Sequence, residues 1–246
     1  MPTGPDRLPP LIAVVGSDGS GKSTVCTELL NWIKAYGPAA VAHLGKQQGN
    51  TGRWLANLPL VGTGLGSLIN RKAATVHSSR SRNKAPDVLP ALVMYAFTLR
   101  RVRRYRRMLA QRKRGLIVIA DRYPQLDIPS AFDGPDMSVA AEGHGFVQRL
   151  AQREQRAFEW MTGYQPDLVV RLNVDLDTAC ARKHDHKREA LARKIGIAPQ
   201  LTFNGAEIAE IDASQDLPEV LADVHAAVSL KMAELGYQTP PPPAEV

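Results

Sequence analysis

Apolar residues along this chain fall into two kinds of run. Short, mostly apolar ones occupy residues 11–15, 39–44, 116–120, 168–174 and 207–211, and Leu11-Ile12-Ala13-Val14-Val15 is the purest: β-branched residues with no polar alternation, as a strand buried on both faces requires. Longer stretches at 25–34, 87–114, 146–162, 178–194 and 218–235 read as helices, that at 178–194 with a dense polar middle. In the longest, Leu92, Tyr95, Leu99, Val102, Tyr105 and Leu109 form the expected packing stripe, and Gly115 ends it. Five strands alternating with helices predict an α/β fold: a three-layer αβα sandwich around a five-stranded parallel sheet, doubly wound, with ligands beyond the carboxyl ends of the strands. Residues 1–10 read as a flexible start, 11–236 as one domain and 237–246 as a proline-rich tail. Between 45 and 86 the chain is polar and punctuated by Gly and Pro, and no element is readable there.

The first strand runs straight into Gly16-Ser17-Asp18-Gly19-Ser20-Gly21-Lys22-Ser23-Thr24, with a helix pattern behind it. Such a glycine-rich turn lets successive backbone N–H groups converge on phosphate oxygens, backed by the positive end of the helix dipole. It reads as a P-loop. Lys22 then reaches the β- and γ-phosphates of ATP, and the Ser23 hydroxyl binds Mg²⁺. Asp121, at the end of the third strand, is the acid expected near that metal, directly or through water.

Charge and cysteine content narrow the picture. The chain of 246 residues has a net charge of +7, yet nine Lys and Arg fall between 100 and 114 without an acid, so the remainder is slightly negative. The basicity is local. Arg100-Arg101-Val102-Arg103-Arg104-Tyr105-Arg106-Arg107 therefore suggests either a solvated face with an anion site or a surface for nucleic acid or lipid headgroups. No apolar run is long enough to span a membrane, and the two cysteines, Cys26 and Cys180, are too few for a disulfide framework. A cytoplasmic location is the expectation.

Taken together, Gly-x-Asp-Gly-x-Gly-Lys-Ser-Thr at 16–24, Asp121-Arg122-Tyr123, Pro166-Asp167-Leu168 with Leu172-x-Val174 and Arg182, and Ile211-Asp212-Ala213-Ser214-Gln215 resemble the thymidylate kinases, a branch of the P-loop nucleoside monophosphate kinases. The resemblance runs from Leu11 to about Leu235 and is weak over 45–86. It implies ATP- and Mg²⁺-dependent phosphoryl transfer to dTMP or a related pyrimidine nucleotide, and a possible homodimer. It also implies that Arg100, which stands as far ahead of Asp121 as the family's helix arginine does, joins Arg122 in holding the acceptor's phosphate. Arg104, Tyr123, Phe132 and Asp133 complete the expected acceptor side. On the donor side stand Lys22, Asp18 and Asp121, together with a lid around 182–196 whose Arg182, Lys183, Lys187 and Arg188 supply cations to the transferring phosphate. His184 and His186 read as exposed lid residues.

Two departures from the family bear on the substrate. Its Arg-Glu-Pro-Gly after the second strand is replaced by His43-Leu44-Gly45-Lys46-Gln47-Gln48, and its base-reading Tyr-Gln-Gly by Phe132-Asp133-Gly134. An ionised Asp only accepts hydrogen bonds, so it could meet thymine N3–H and not O4. Two alternatives stay open beside the nucleotide kinase: the same machinery acting on a sugar phosphate or on a nucleotide within DNA, and an ATP-driven switch that docks on nucleic acid or membrane through its basic helix.

Overall fold

The computed structural model describes residues 8–45, 85–129, 131–141, 145–184 and 186–238. Most of the expected flexible start, nearly all of the unreadable 45–86 stretch and most of the tail lie outside these. Five strands form one parallel sheet: β1 (Leu11–Gly16), β2 (Ala39–His43), β3 (Ile117–Asp121), β4 (Leu168–Asn173) and β5 (Ile208–Asp212). Their order is β2-β3-β1-β4-β5, with every neighbouring pair parallel. The chain winds outward from the central β1 in both directions, so β1 and β3 part toward different neighbours at the edge where Gly16 and Asp121 end. The expected fold class is the observed one.

Alternate residues of β1 supply two separate cores, as the period-two geometry of a strand dictates. Ile12 and Val14 face α1 (Lys22–Ile33), whose Val25, Cys26, Leu29 and Ile33 are buried against them. Leu11, Ala13 and Val15 face the opposite layer, built from the long helix α2 (Val88–Lys113) and from α3 (Gly145–Thr162) through Tyr105, Met108, Phe158 and Met161. The chain closes with α4 (Leu176–Arg182), α5 (Arg188–Ile197) and α6 (Leu217–Glu234), and α6 joins α1 over the first core through Val220, Val224, Val228 and Met232.

Three expectations need correction. The third strand begins and ends one residue later than its apolar run, so that Asp121 itself is a sheet residue paired with His43. The helix expected over 178–194 is two helices, because Lys183 leaves helical geometry at φ −138° and ψ 71° and Lys187 is extended before α5. On α2 the apolar stripe holds only in its second half. Leu92 and Leu99 are 42% and 51% exposed, while Thr98 and Arg101 are buried. The reason is hydrogen bonding: Thr98 Oγ1 donates to Glu154 Oε1 of α3 at 2.6 Å, and Arg101 donates to the backbone and carboxylate of Asp133 at 2.7 and 2.8 Å. Satisfied polar groups can occupy an interior seam at little net cost, and here they displaced the leucines from it.

Candidate functional site

The turn between β1 and α1 forms a nest. Gly19 and Gly21 take φ 87° and 82°, a region that is costly for any residue with a β-carbon, and Gly21 caps α1 without a side-chain hydrogen bond. The first-turn N–H groups of α1 have no intrahelical acceptors and lie at the positive end of its dipole. Lys22 folds back over the loop, its Nζ 2.5 Å from the Ser17 carbonyl that also accepts from Ser20 Oγ at 2.9 Å. Burial, reinforced by the positive charge of Arg122, lowers the Lys22 ammonium from its usual 10.5 to about 8. The Ser23 side chain lies on the exposed first turn.

Asp18 is the junction of the site. Lys194 of α5 donates to its Oδ2, His186 Nε2 stands 3.8 Å from the same oxygen, and Arg122 Nη2 donates to Oδ1 at 3.5 Å. Burial alone would raise this carboxyl; the Lys194 hydrogen bond and the charges of Lys194, Lys22 and Arg122 outweigh it and hold Asp18 below the ordinary carboxylate value. Arg122 in turn lies 3.9 Å from Asp133, whose Oδ1 is bonded to Arg101. A row of alternating charge thus runs from Arg101 in the α2 seam through Asp133, Arg122 and Asp18 to Lys194. Arg122 adopts φ 69°, a left-handed conformation that costs a non-glycine residue about 1–2 kcal/mol. Its side chain crosses directly over the buried Gly45 at the end of β2, where a β-carbon would collide with it. Arg104 donates to the Gly45 carbonyl at 2.8 Å, so α2, β2 and β3 meet at this glycine.

The other expected residues separate into groups. Asp121 reaches the same edge, its Oδ2 3.0 Å from His43 Nδ1, and its charge acts on Lys22 and Cys26 at the start of α1. Arg182 lies against the loop, donating to the carbonyls of Ala213 at 2.7 Å and Gly19 at 3.4 Å. Arg188 turns outward and donates to Asp177 at 2.7 Å, with both side chains more than half exposed. Arg100 is half-buried on α2. Tyr123 faces inward: its hydroxyl is 2.5 Å from that of Tyr105 and donates to the Tyr164 carbonyl, and burial drives both phenols well above their ordinary values. It braces the second core. Phe132, at φ 45°, packs on that same core and sets the turn that delivers Asp133 to Arg101.

Sequence reasoning missed Lys194, Arg101 and Gly45. Lys194 fell within the expected lid, but no local signal separates it from the other lid cations, since its partner is far away in sequence at Asp18. Arg101 was hidden among neighbouring arginines. The basic run itself is divided: Arg101 serves Asp133, Arg104 serves Gly45, and Arg112 donates to Pro9 O and to Asp167, which also accepts from Leu11 N at the start of β1.

Ser23, next to Lys22 on α1, and Asp121, whose charge acts on Lys22, offer hard oxygen donors, and among the described residues no cluster of three or more His, Cys, Asp or Glu could hold a metal by itself. Such a sparse donor set fits a Mg²⁺ ion held chiefly by water and by the phosphates of a bound nucleotide. Among the described residues no helix is long and apolar enough to cross a membrane.

No family model matches the chain. The uncharacterized ATP-binding protein YghS of Escherichia coli (strain K12) is 42% identical over 224 residues, which cover 89% of this chain and 94% of YghS. YghR of the same strain is 37% identical over 227 residues, or 92% of this chain and 89% of YghR. More distantly, the thymidylate kinase of Leifsonia xyli subsp. xyli is 26% identical over 224 residues, covering 87% and 91% of the two chains. The glycine nest, the Arg122 crossing and this near full-length similarity agree, and the chain belongs to the family of the ATP-binding proteins YghS and YghR, a P-loop kinase-like group with the thymidylate kinases as distant relatives.

Proposed function

We propose that the protein binds ATP in the β1–α1 loop and transfers its terminal phosphoryl group to a nucleoside monophosphate, dTMP or a related pyrimidine nucleotide. The observation that carries this reading is Arg122: it stands across the sheet edge from the phosphate nest and is joined to it through Asp18. An anion bound there faces the end of a nucleotide lying in the loop, the arrangement in-line transfer needs.

Within this reading the side chains divide the work. The loop N–H groups and Lys22 bind the donor's phosphates, and Lys22 leaves the Ser17 carbonyl for them. Arg122, with Arg100 and Arg104 on α2, holds the acceptor's phosphate; a guanidinium suits it through its paired donors. Asp18 neutralises and bridges Arg122 and Lys194 until anions arrive to replace it. Arg182 steadies Gly19, and Lys194 is the lid cation best placed to meet the moving phosphoryl group, ahead of Arg188, which is turned toward Asp177. Bound at Ser23 and Asp121, Mg²⁺ would neutralise charge on the donor's phosphates. Because the acceptor's phosphate is already an anion, positioning and charge do the chemistry and no strong base is needed.

A second reading is favoured by Asp133. One of its oxygens is bonded to Arg101 and the other faces Arg122, which leaves it poorly placed to read a base. An acceptor recognised through its phosphate alone, such as a sugar phosphate, fits that arrangement. Following ADP release from ATP and Mg²⁺ with dTMP, dUMP, dCMP and a panel of sugar phosphates decides between the two. Stimulation by the pyrimidine nucleotides is the expected result, and stimulation by sugar phosphates alone would transfer the assignment to them. ADP release that ignores every acceptor would remove the kinase assignment.

A further inference from the structure

Ten large apolar side chains are notably exposed among the described residues, and seven of them lie on α2, on α3 or between the two: Val88, Leu89, Leu92, Leu99, Val139, Phe146 and Trp160, with Tyr164 just past the end of α3. A monomer rarely leaves such a concentration along one pair of helices without a use for it. The two helices run side by side in the same direction, because Ala91 packs with Val147 and Leu150, Thr98 bonds Glu154, Arg101 lies over Phe158 and Arg106 lies over Trp160. The Arg106 contact, 5.7 Å from guanidinium to ring centroid, marks the outer side of their seam.

From there the helical period identifies the rest of that surface. On α3, Trp160, Arg156, Arg153, Arg149 and Phe146 follow at intervals of four and three; on α2, Arg106, Arg103, Leu99 and Leu92 fall on the matching line. All are exposed. The result is a two-row surface in which arginines and large apolar groups alternate. Its apolar end, at the start of both helices, lies toward the carboxyl edge of the sheet, since α2 leads into β3 and α3 departs from it.

We infer that this α2–α3 face is a docking surface for an anionic lipid bilayer. Phosphate headgroups would pair with Arg103, Arg106, Arg149, Arg153 and Arg156, while Leu92, Leu99, Phe146 and Trp160 enter the interfacial layer; a bilayer offers both environments at once. Nucleic acid answers the arginines but gives the leucines nowhere to go, and the Trp160 ring carries Arg106 where a base would stack. A second copy of the chain answers the leucines but buries guanidinium groups without acids to receive them. Helix α2 has no acidic residue, and of the two on α3 Glu154 is buried.

Co-sedimentation of the whole chain with phosphatidylcholine vesicles, with and without phosphatidylserine, tests the inference. Binding should require phosphatidylserine, weaken with salt, and shift Trp fluorescence to the blue in a way that Trp160→Phe removes. The triple change Arg149→Gln, Arg153→Gln and Arg156→Gln should weaken binding roughly 100-fold, about fivefold for each charge. The pair Leu92→Ser and Phe146→Ser should weaken it while keeping the salt dependence; as these side chains are exposed, circular dichroism should show both variants folded. The inference is overturned if anionic vesicles are not bound at low salt. Equal or tighter binding to a DNA or RNA oligonucleotide overturns it too, as does sedimentation showing a dimer that the Leu92 and Phe146 changes dissociate.

Discussion

At the residue scale, the site keeps a buried lysine charged at a cost to the fold. Lys22 is 7% exposed, and burial brings its ammonium from 10.5 down to about 8. Between those values the unfolded chain binds more protons than the native one, so the nucleotide-free protein should gain stability as pH rises from about 8 to 10.5. Below that window the full penalty of about 3 kcal/mol is present. Lys22→Met should therefore raise the nucleotide-free stability at neutral pH by about 1–3 kcal/mol in a urea titration, while reducing phosphoryl transfer by about 10²–10³. A variant that lost activity and stability together would contradict this account of the lysine. Gly45 gives a second test, because its missing β-carbon makes room for Arg122. Gly45→Ala should push Arg122 off its path and raise the acceptor KM roughly tenfold, with the KM for ATP nearly unchanged.

These residues were unequally legible. The glycine loop, Lys22 and Arg122 carry local signatures, since a phosphate nest and a strand end are built from consecutive residues. Gly45 and Arg101 have none: one matters because the Arg122 side chain, just past β3, crosses it, the other because a turn after β3 brings Asp133 to it.

At the scale of elements, buried polar bonds decide how α2, α3 and the lid helices sit. Glu154 is 1% exposed; it accepts from Thr98 Oγ1 of α2 and from Met137 N at 2.7 Å in the turn after β3, and burial raises its carboxyl above the usual range. Glu154→Gln can keep one of these bonds but presents an amide donor to the other donor. A loss of about 1–3 kcal/mol in chemical denaturation is expected, and no loss would mean that the seam does not depend on it. The α2 periodicity misled for the same reason: spacing records which residues are apolar, and here a hydroxyl and a guanidinium with partners elsewhere took the inner seam from Leu92 and Leu99. On the other flank, α5 is tied to the phosphate loop through Lys194 and Asp18, and Arg171 of β4 anchors the turns beyond α5 through the carbonyls of Pro199 and Leu201. Lys194→Ala should release α5 from the loop and speed tryptic cleavage after Lys183 and Lys187 several-fold in nucleotide-free protein, with far-UV circular dichroism unchanged.

For the whole molecule, nucleotide binding at the sheet edge as proposed would couple to folding. ATP at about a hundred times its dissociation constant should add about 2.7 kcal/mol to stability, a rise in Tm of about 5–10 °C for a chain of this size. A flat Tm would mean that the β1–α1 loop does not take nucleotide. Strand order could be anticipated in kind but not in detail: alternation of strands and helices requires a parallel sheet, whereas placing β1 between β3 and β4 depends on which helix layers cover which face.

From the amino-acid order alone came the strands, the glycine-rich turn after β1 and the kinase-like character, because each is written in neighbouring residues whose backbone demands are local. The tertiary fold decided which charges meet. Arg101, Asp133, Arg122, Asp18 and Lys194 are drawn from α2, two loops, the end of β3 and α5, and they become a row only when the sheet edge brings those ends together. Coulomb attraction depends on separation in space, and neither spacing nor periodicity along a chain records that distance.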